Sequence, residues 1–136
     1  WSSDVCASDL VEEGGFIYDS ESANDDLPCY VPILGKQHLV VPYSLTHNDV
    51  HYVTGFYSSP AAFVDYCTRG LDYLCNEPDE KPRMMSIGLH ARWSGQPSRA
   101  SAVRDIIEFA QDKGAWIATR EEIARWWLEN YPPATA

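Results

Sequence analysis

The chain has 136 residues, a net charge of −10 and a pI near 4.6. Apolar residues make up 45% of it, which is enough to bury a core in one domain of ordinary size and excludes global disorder. An acidic surface without a basic stripe repels phosphate groups, so neither nucleic acid nor a membrane surface is predicted as a partner. No two of the four cysteines are spaced as CxxC, which excludes a zinc ribbon. Reduced thiols in a cytoplasmic protein are therefore predicted.

Three short apolar runs come first along the chain; the first and the third are predicted as strands, and the second is a weaker apolar run. They are Phe16–Tyr18, residues 31–34 and residues 38–43, the last of which contains Leu39-Val40-Val41. His38 precedes this last apolar core and is predicted to lie on the surface.

Start and stop signals then predict three helices. Ser59-Pro60 and Pro97-Ser98 each open one, Gly114 stops the second, and Thr119 with Glu122 forms a capping-box pattern at the start of the third. The predicted buried faces are Phe63, Cys67, Leu71 and Leu74; Val103, Ile106, Ile107 and Ala110; and Ile123, Ala124, Trp127 and Leu128.

Two further apolar runs, residues 84–89 and 115–118, are predicted as strands between these helices. The alternation of strands and helices predicts a parallel sheet or barrel of βα units. In such folds ligands bind where the carboxyl ends of the strands meet the loops. Three polar clusters at predicted strand ends are therefore candidate sites.

The first cluster spans residues 18–28 and contains Glu21, Asp25 and Asp26. Its carboxylates could position a substrate amide, hold a cation or act as general bases. The alternative is a solvated acidic loop with Asx turns.

The second cluster spans residues 41–49 and ends in Asn48-Asp49. A carboxylate next to a histidine can fix the tautomer of the ring, and His47, His51 or the distant His90 could be that histidine. The alternative is ordinary turn chemistry. The i, i+4 spacing of His47 and His51 would suit a metal on a helix, but the stretch reads as a loop, so a metal site is not predicted here.

The third cluster spans residues 86–92 and places His90 at the end of an apolar strand, followed by Arg92. His90 could protonate a leaving amine while Arg92 holds a carboxylate or an oxyanion. The alternative is a structural histidine that caps the strand.

Together these clusters resemble the polysaccharide deacetylase (NodB homology) superfamily, most closely its branch of allantoinases and imidase-like enzymes. The resemblance covers about residues 11–131 and lies in four stretches: GGFIYDSESANDDLPCYV, HLVVPYSLTHNDVHYV, PRMMSIGLHARWSGQPSRASAVRDIIEFAQ and GAWIATREEIARWW. It implies an α/β fold that is the C-terminal part of a distorted NodB-type (β/α) barrel. It also implies an enzyme that hydrolyses a non-peptide C–N bond.

The resemblance also implies roles for individual residues. His90 matches the histidine of the LxH motif, which is the general acid toward the leaving nitrogen, and Asp49 matches the aspartate that orients it. Arg92, Asn48 and the acidic loop with Glu21, Asp25 and Asp26 match substrate-binding positions. The branch often has an acid at the position of Thr46, so the individual roles in that loop differ from the family pattern.

Motifs of the N-terminal half of the family have no match in this sequence. These are an aspartate pair, a His-x3-His metal motif and an arginine-proline segment, so a zinc-like cation is expected only in a longer enzyme. Residues 1–10 resemble the translation of a sequencing adapter, with Ala7 where that translation has serine, and are interpreted as a non-native leader. Residues 132–136 are interpreted as a tail.

The sequence therefore predicts the C-terminal part of a cytoplasmic hydrolase, inactive by itself, that forms a homo-oligomer at full length. The predicted substrate is a small ureide or cyclic amide. The alternatives are a metal-dependent deacetylase of N-acetyl sugars and a non-catalytic carbohydrate-binding module.

Overall fold

The structure is a computed structural model that describes residues 8–9 and 11–133. The chain divides into two compact units, one made of residues up to Tyr43 together with those from Ala118 onward, and the other of Ser44–Ile117. Most of the predicted leader, including Cys6, and the end of the predicted tail lie outside the described residues. The interpretation of both segments stays a prediction.

The first unit contains a β-hairpin. Strand β1 (Cys29–Ile33) pairs with strand β2 (Lys36–Val40) in antiparallel register, with Cys29 opposite Val40. Leu34 and Gly35 form the two-residue turn, and both have positive φ angles, 50° and 73°. A turn with this geometry matches the twist of an antiparallel pair. Strand β2 thus covers the first half of the strand predicted at residues 38–43, and β1 covers most of the weaker apolar run at residues 31–34, but the pairing is antiparallel and the expected parallel pairing is wrong.

A single parallel bridge lies beside this hairpin in the first unit. The Asp19 amide donates to the Leu39 carbonyl, and the Asp19 carbonyl accepts from the Val41 amide. The strand predicted for residues 16–18 is therefore wrong, because the pairing begins only at Asp19. His38 is also buried, not on the surface, and its Nε2 lies 3.2 Å from the Asp19 carboxylate.

Helix α4 (Arg120–Asn130) also belongs to the first unit and follows the helices of the second unit in the chain. Both hydrogen bonds of the predicted capping box between Thr119 and Glu122 are present. Ala124 and Trp127 are buried, whereas Ile123 and Leu128, which the sequence also placed in the core, are only half-buried.

The second unit contains helices α1 (Pro60–Cys75), α2 (Ala91–Ser94) and α3 (Pro97–Asp112). The Ser59 hydroxyl caps α1 by accepting from the Ala62 amide at 3.2 Å, as its start signal predicts. A 3-10 helix (Asp49–Tyr52) precedes these helices in the chain. Within the described part of the chain, no helix is long and apolar enough to cross a bilayer.

Helix α1 packs on helix α3 to form the core of the second unit. The buried side chains of this core are Tyr57, Phe63, Cys67, Leu71, Ala102, Ile106 and Ala110. Ile107, predicted in the core, is 42% exposed, and Val103 is only half-buried. The small side chains of Ala102 and Ala110 line the buried face of α3, which is rotated from the predicted one. Burial raises the pKa of the Cys67 thiol to about 12, as expected for an inert core cysteine.

The predicted strands at residues 84–89 and 115–118 do not form as strands. Gly88 makes one parallel bridge with Asn48, and none of the other residues in these two segments pairs with a described strand. A strand needs a neighbour along its length to satisfy its backbone amides and carbonyls. The described residues therefore form a mixed helix and sheet fold in which the predicted parallel sheet is represented only by isolated bridges.

Candidate active site

Two backbone segments of the second unit meet at Gly88. The Gly88 amide donates to the His47 carbonyl at 2.8 Å, and the Asp49 amide donates to the Gly88 carbonyl at 3.0 Å. A Cβ atom at Gly88 would lie 2.5 Å from Nδ2 of Asn48, a separation that real Cβ atoms do not show. The absence of a side chain at Gly88 thus lets the loop that carries Asp49 approach the segment that carries His90.

Replacing Gly88 by alanine is expected to destabilise the protein by about 1–3 kcal/mol, the usual cost of forcing an extra methyl group into a packed site. The added methyl group pushes the Asn48 side chain away and opens the bridge to the Asp49 loop. Urea unfolding measures this loss. Ser101→Ala, on the exposed side of α3, is the control, since it introduces alanine without adding an atom to a packed site. A Gly88→Ala variant as stable as the parent chain would contradict the packing argument.

Asp49 is completely buried at the start of the 3-10 helix. Its carboxylate accepts three hydrogen bonds. Oδ2 accepts from the His90 amide at 2.8 Å and from the Ser94 hydroxyl at 2.6 Å, while Oδ1 lies 2.6 Å from Nδ1 of the His90 ring. The structure therefore joins Asp49 to His90, the most distant of the three histidines that the sequence allowed as its partner.

The hydrogen bonds decide the charge of Asp49. Burial raises the pKa of its carboxyl, but the hydrogen bonds from Ser94 and from the amide and ring of His90 outweigh that effect. The pKa of Asp49 thus lies below its ordinary value of 3.8. An ionised carboxylate can only accept, so the Nδ1 atom of His90 carries the proton and donates it.

The other ring nitrogen of His90, Nε2, belongs to a partly exposed side chain. The side chain is 42% exposed, and Nε2 has no hydrogen-bond partner among residues 8–9 and 11–133. The ring lies against Trp93, with centroids 4.4 Å apart, and the Arg92 guanidinium lies 4.6 Å above the Trp93 ring. This geometry leaves Nε2 available to exchange a proton with a bound molecule.

Asn48 is nearly buried, and its side-chain oxygen accepts from the Val50 amide at 2.9 Å, which caps the 3-10 helix. This contact holds the start of the helix that carries Asp49. The substrate-binding role predicted for Asn48 stays a prediction, as does that of Arg92, whose exposed guanidinium pairs with no carboxylate in the described part of the chain.

The predicted acidic residues Glu21, Asp25 and Asp26 belong to the first unit and are exposed. Oδ1 of Asp25 accepts from the amides of Asp26 and Leu27, at 2.7 and 3.4 Å, so the loop contains the turn contacts of the alternative interpretation. The substrate-binding role predicted for these three residues stays a prediction.

No group of three or more His, Cys, Asp or Glu side chains is arranged to hold a metal ion within residues 8–9 and 11–133. Nε2 of His51 lies 3.0 Å from the Leu45 carbonyl, so His51 is engaged with the backbone of its own loop. The described residues do not by themselves form the metal site that the resemblance allows for a longer enzyme.

Sequence reasoning did not single out Ser94 or Trp93. Ser94 follows His90 by four positions, and the turn of helix that starts at His90 places both side chains on one side of the backbone. That spacing is a signal that could have identified Ser94 once a helix start at His90 was assumed.

No family model matches the chain, but its sequence and fold are similar to those of several known proteins. A Schizosaccharomyces pombe protein assigned by its name to the polysaccharide deacetylases is 38% identical over 128 residues, which cover 85% of this chain and 40% of that protein. The crystal structure of PuuE allantoinase matches with a TM-score of 0.83 and 39% identity, over 90% of this chain and 42% of that one.

Two further solved structures match the chain. One from Pseudomonas aeruginosa PAO1, named for a polysaccharide deacetylase, has a TM-score of 0.83 and 40% identity over the same shares of the two chains. Another from Mycobacterium smegmatis has 23% identity and a TM-score of 0.72 and shows likeness of fold alone. The chain spans about two fifths of the length of the relatives it matches.

Proposed function

The chain belongs to the NodB-type polysaccharide deacetylase superfamily, whose members hydrolyse C–N bonds, and from this premise we propose that it supplies the proton-donating part of such a hydrolase. The observation that supports the proposal most strongly is the contact between His90 and the buried carboxylate of Asp49. A surface histidine with only a structural role would not need a fully buried, hydrogen-bonded anion behind its ring.

In the proposed reaction His90 acts as the general acid. Asp49 holds Nδ1 and balances the positive charge of the protonated ring, so the ring presents Nε2–H to the substrate. As the C–N bond breaks, this proton passes to the leaving nitrogen, which departs as a neutral amine or amide. Without that proton the nitrogen would have to leave as an anion, at a much higher energy.

Arg92 is proposed to bind the substrate. Its guanidinium rests on the Trp93 ring, next to His90 in the chain, and such stacking reduces the freedom of a long side chain. A cation held there would suit the carboxylate of a ureide or the oxyanion that forms at the attacked carbonyl. Asp25 and Asp26 keep, as a proposal, the substrate-binding role that the family resemblance implies for them.

The proposed substrate is a ureide or a cyclic amide, because the name of one solved relative, an allantoinase, states such an activity. The alternative is an N-acetyl sugar, as the names of the polysaccharide deacetylases suggest. A panel assay of both classes on an enzyme that contains this chain tests the choice, with release of the hydrolysed acid or of acetate as the readout. Chelation of metals in the same assay tests the metal-dependent alternative.

The 136-residue chain by itself is expected to show no turnover. The relatives are more than twice as long, and no group of three or more His, Cys, Asp or Glu side chains among the described residues is arranged to hold a metal ion that could activate water. The measurement is hydrolysis by the purified chain at high enzyme concentration, compared with its His90→Ala variant. His90-dependent hydrolysis by this chain would overturn the expectation. A protein that binds carbohydrate without hydrolysing any substrate of the panel would instead support the non-catalytic alternative.

A further inference from the structure

The Ser94 hydroxyl makes a buried contact with the carboxylate behind His90. It donates to Oδ2 of Asp49 at 2.6 Å, and Ser94 as a whole is 5% exposed. Because Asp49 is ionised, the hydroxyl is fixed as the donor. Hydrogen bonds to charged groups in a buried setting are among the stronger ones in proteins.

The two residues that hold Asp49 lie on one turn of helix. The Ser94 amide donates to the His90 carbonyl at 3.0 Å. The Asp49 carboxylate contacts three groups of this turn: the His90 amide, the His90 ring and the Ser94 hydroxyl. The terminal torsion of an aspartate side chain is soft, so its hydrogen bonds set the plane of its carboxylate. With Oδ2 held by Ser94 and by the His90 amide, Oδ1 is directed at Nδ1 of the ring.

We propose that Ser94 is a positioning residue, whose hydroxyl keeps Asp49 oriented so that His90 is held with its proton on Nδ1 and offers Nε2 to the substrate. This proposal rests on the proposed function of His90, because the transfer of a proton at Nε2 depends on that orientation. Ser94 itself would touch neither the substrate nor the leaving nitrogen.

The test uses nuclear magnetic resonance on the 136-residue chain and compares Ser94→Ala with Ser94→Thr. The ring nitrogens of His90 report the tautomer, and the carboxyl carbon of Asp49 reports its titration. In Ser94→Ala the titration of Asp49 is expected to move to higher pH, and the share of the Nδ1–H tautomer to fall. Ser94→Thr keeps the hydroxyl and is expected to restore both. Ser101→Ala, on the exposed side of α3, is the matched control.

Circular dichroism establishes that each variant is folded. If Ser94→Ala fails to fold, Ser94→Cys keeps the size of the side chain and offers only a weak donor, so it is expected to give an intermediate titration. A folded Ser94→Ala or Ser94→Cys variant with the tautomer and the Asp49 titration of the parent chain would overturn the proposal.

An activity measurement separates this proposal from the proposed function. In an enzyme that contains the chain, Ser94→Ala is expected to lower kcat about tenfold with KM unchanged, the effect of losing one hydrogen bond to a charged group. If the tautomer depends on Ser94 but His90→Ala leaves hydrolysis intact, the proposed function fails and the positioning role stands. If His90 is essential but Ser94→Ala leaves kcat and the tautomer unchanged, only the role of Ser94 fails.

Discussion

Replacing His90 by alanine in an enzyme that contains this chain is expected to lower kcat by about 100-fold to 10,000-fold, the usual contribution of a positioned proton donor. The reason is that Nε2 of His90 is the atom proposed to protonate the leaving nitrogen, and the opposite ring nitrogen of His90 contacts the Asp49 carboxylate. KM is expected to change little, because the ring contributes to breaking the bond more than to holding the substrate. Steady-state kinetics over a range of pH checks this expectation.

The matched control for this variant is His51→Gln. His51 was also a possible partner of Asp49 in the sequence, but its ring contacts the Leu45 carbonyl, and the amide of glutamine can still donate there. The control is expected to keep kcat within about threefold of the parent enzyme, since a variant outside the chemical step alters the rate little. Added imidazole is expected to restore part of the activity of His90→Ala. A His90→Ala enzyme with the kcat of the parent would refute the general-acid role.

The second large effect is on stability. Asp49→Ala is expected to lower the free energy of unfolding of the chain by about 2–4 kcal/mol, because two hydrogen-bond donors lose their buried acceptor. The variant leaves the His90 amide and the Ser94 hydroxyl buried without their acceptor. Urea unfolding near neutral pH measures the loss.

Asp105→Ala is the control, because Asp105 is exposed on α3 and its carboxylate lies 3.4 Å from the guanidinium of the neighbouring Arg104. Its effect is expected to stay within about 0.5 kcal/mol. An Asp49→Ala variant that unfolds at the same urea concentration as Asp105→Ala would show that the buried carboxylate contributes nothing to the fold.

The stability that Asp49 contributes is also expected to depend on pH. Its pKa is lowered in the folded protein from 3.8, so the ionised carboxylate stabilises the fold at every pH above that ordinary value. As the pH falls through the lower folded pKa, this contribution is lost. The difference in stability between the parent chain and Asp49→Ala is thus full at neutral pH and shrinks in acid. Urea unfolding in acid buffers checks it, and a difference that grows toward acid would contradict the direction of the shift.

Local signals in the sequence were enough to predict where the helices begin. Each start signal acts within one turn of the backbone and needs no partner elsewhere in the chain. These signals are the cap at Ser59, Pro97 in the first turn of its helix, and the capping box of Thr119. The family resemblance also followed from the sequence, because four separate motifs had to match in order, and the comparisons confirm it.

Pairing over longer distances was decided only by the tertiary structure. The strands flanking Leu34-Gly35 pair antiparallel because a two-residue turn allows no crossover, and the run at residues 84–89 makes a bridge to Asn48 at Gly88 instead of forming a strand. Apolar patterning indicates which residues avoid water, but it does not say which strand lies next to which.

The candidate site shows the same division. The sequence by itself identified His90 and Asp49 as chemically capable residues and left three histidines as partners for the carboxylate. The structure chose His90, which is 41 positions away, and added Ser94 as a second donor. That choice depends on the close backbone contact at Gly88, which brings the Asp49 loop to the turn of helix that begins at His90. A contact between segments so far apart in the chain follows from packing in three dimensions, which no local pattern of residues specifies.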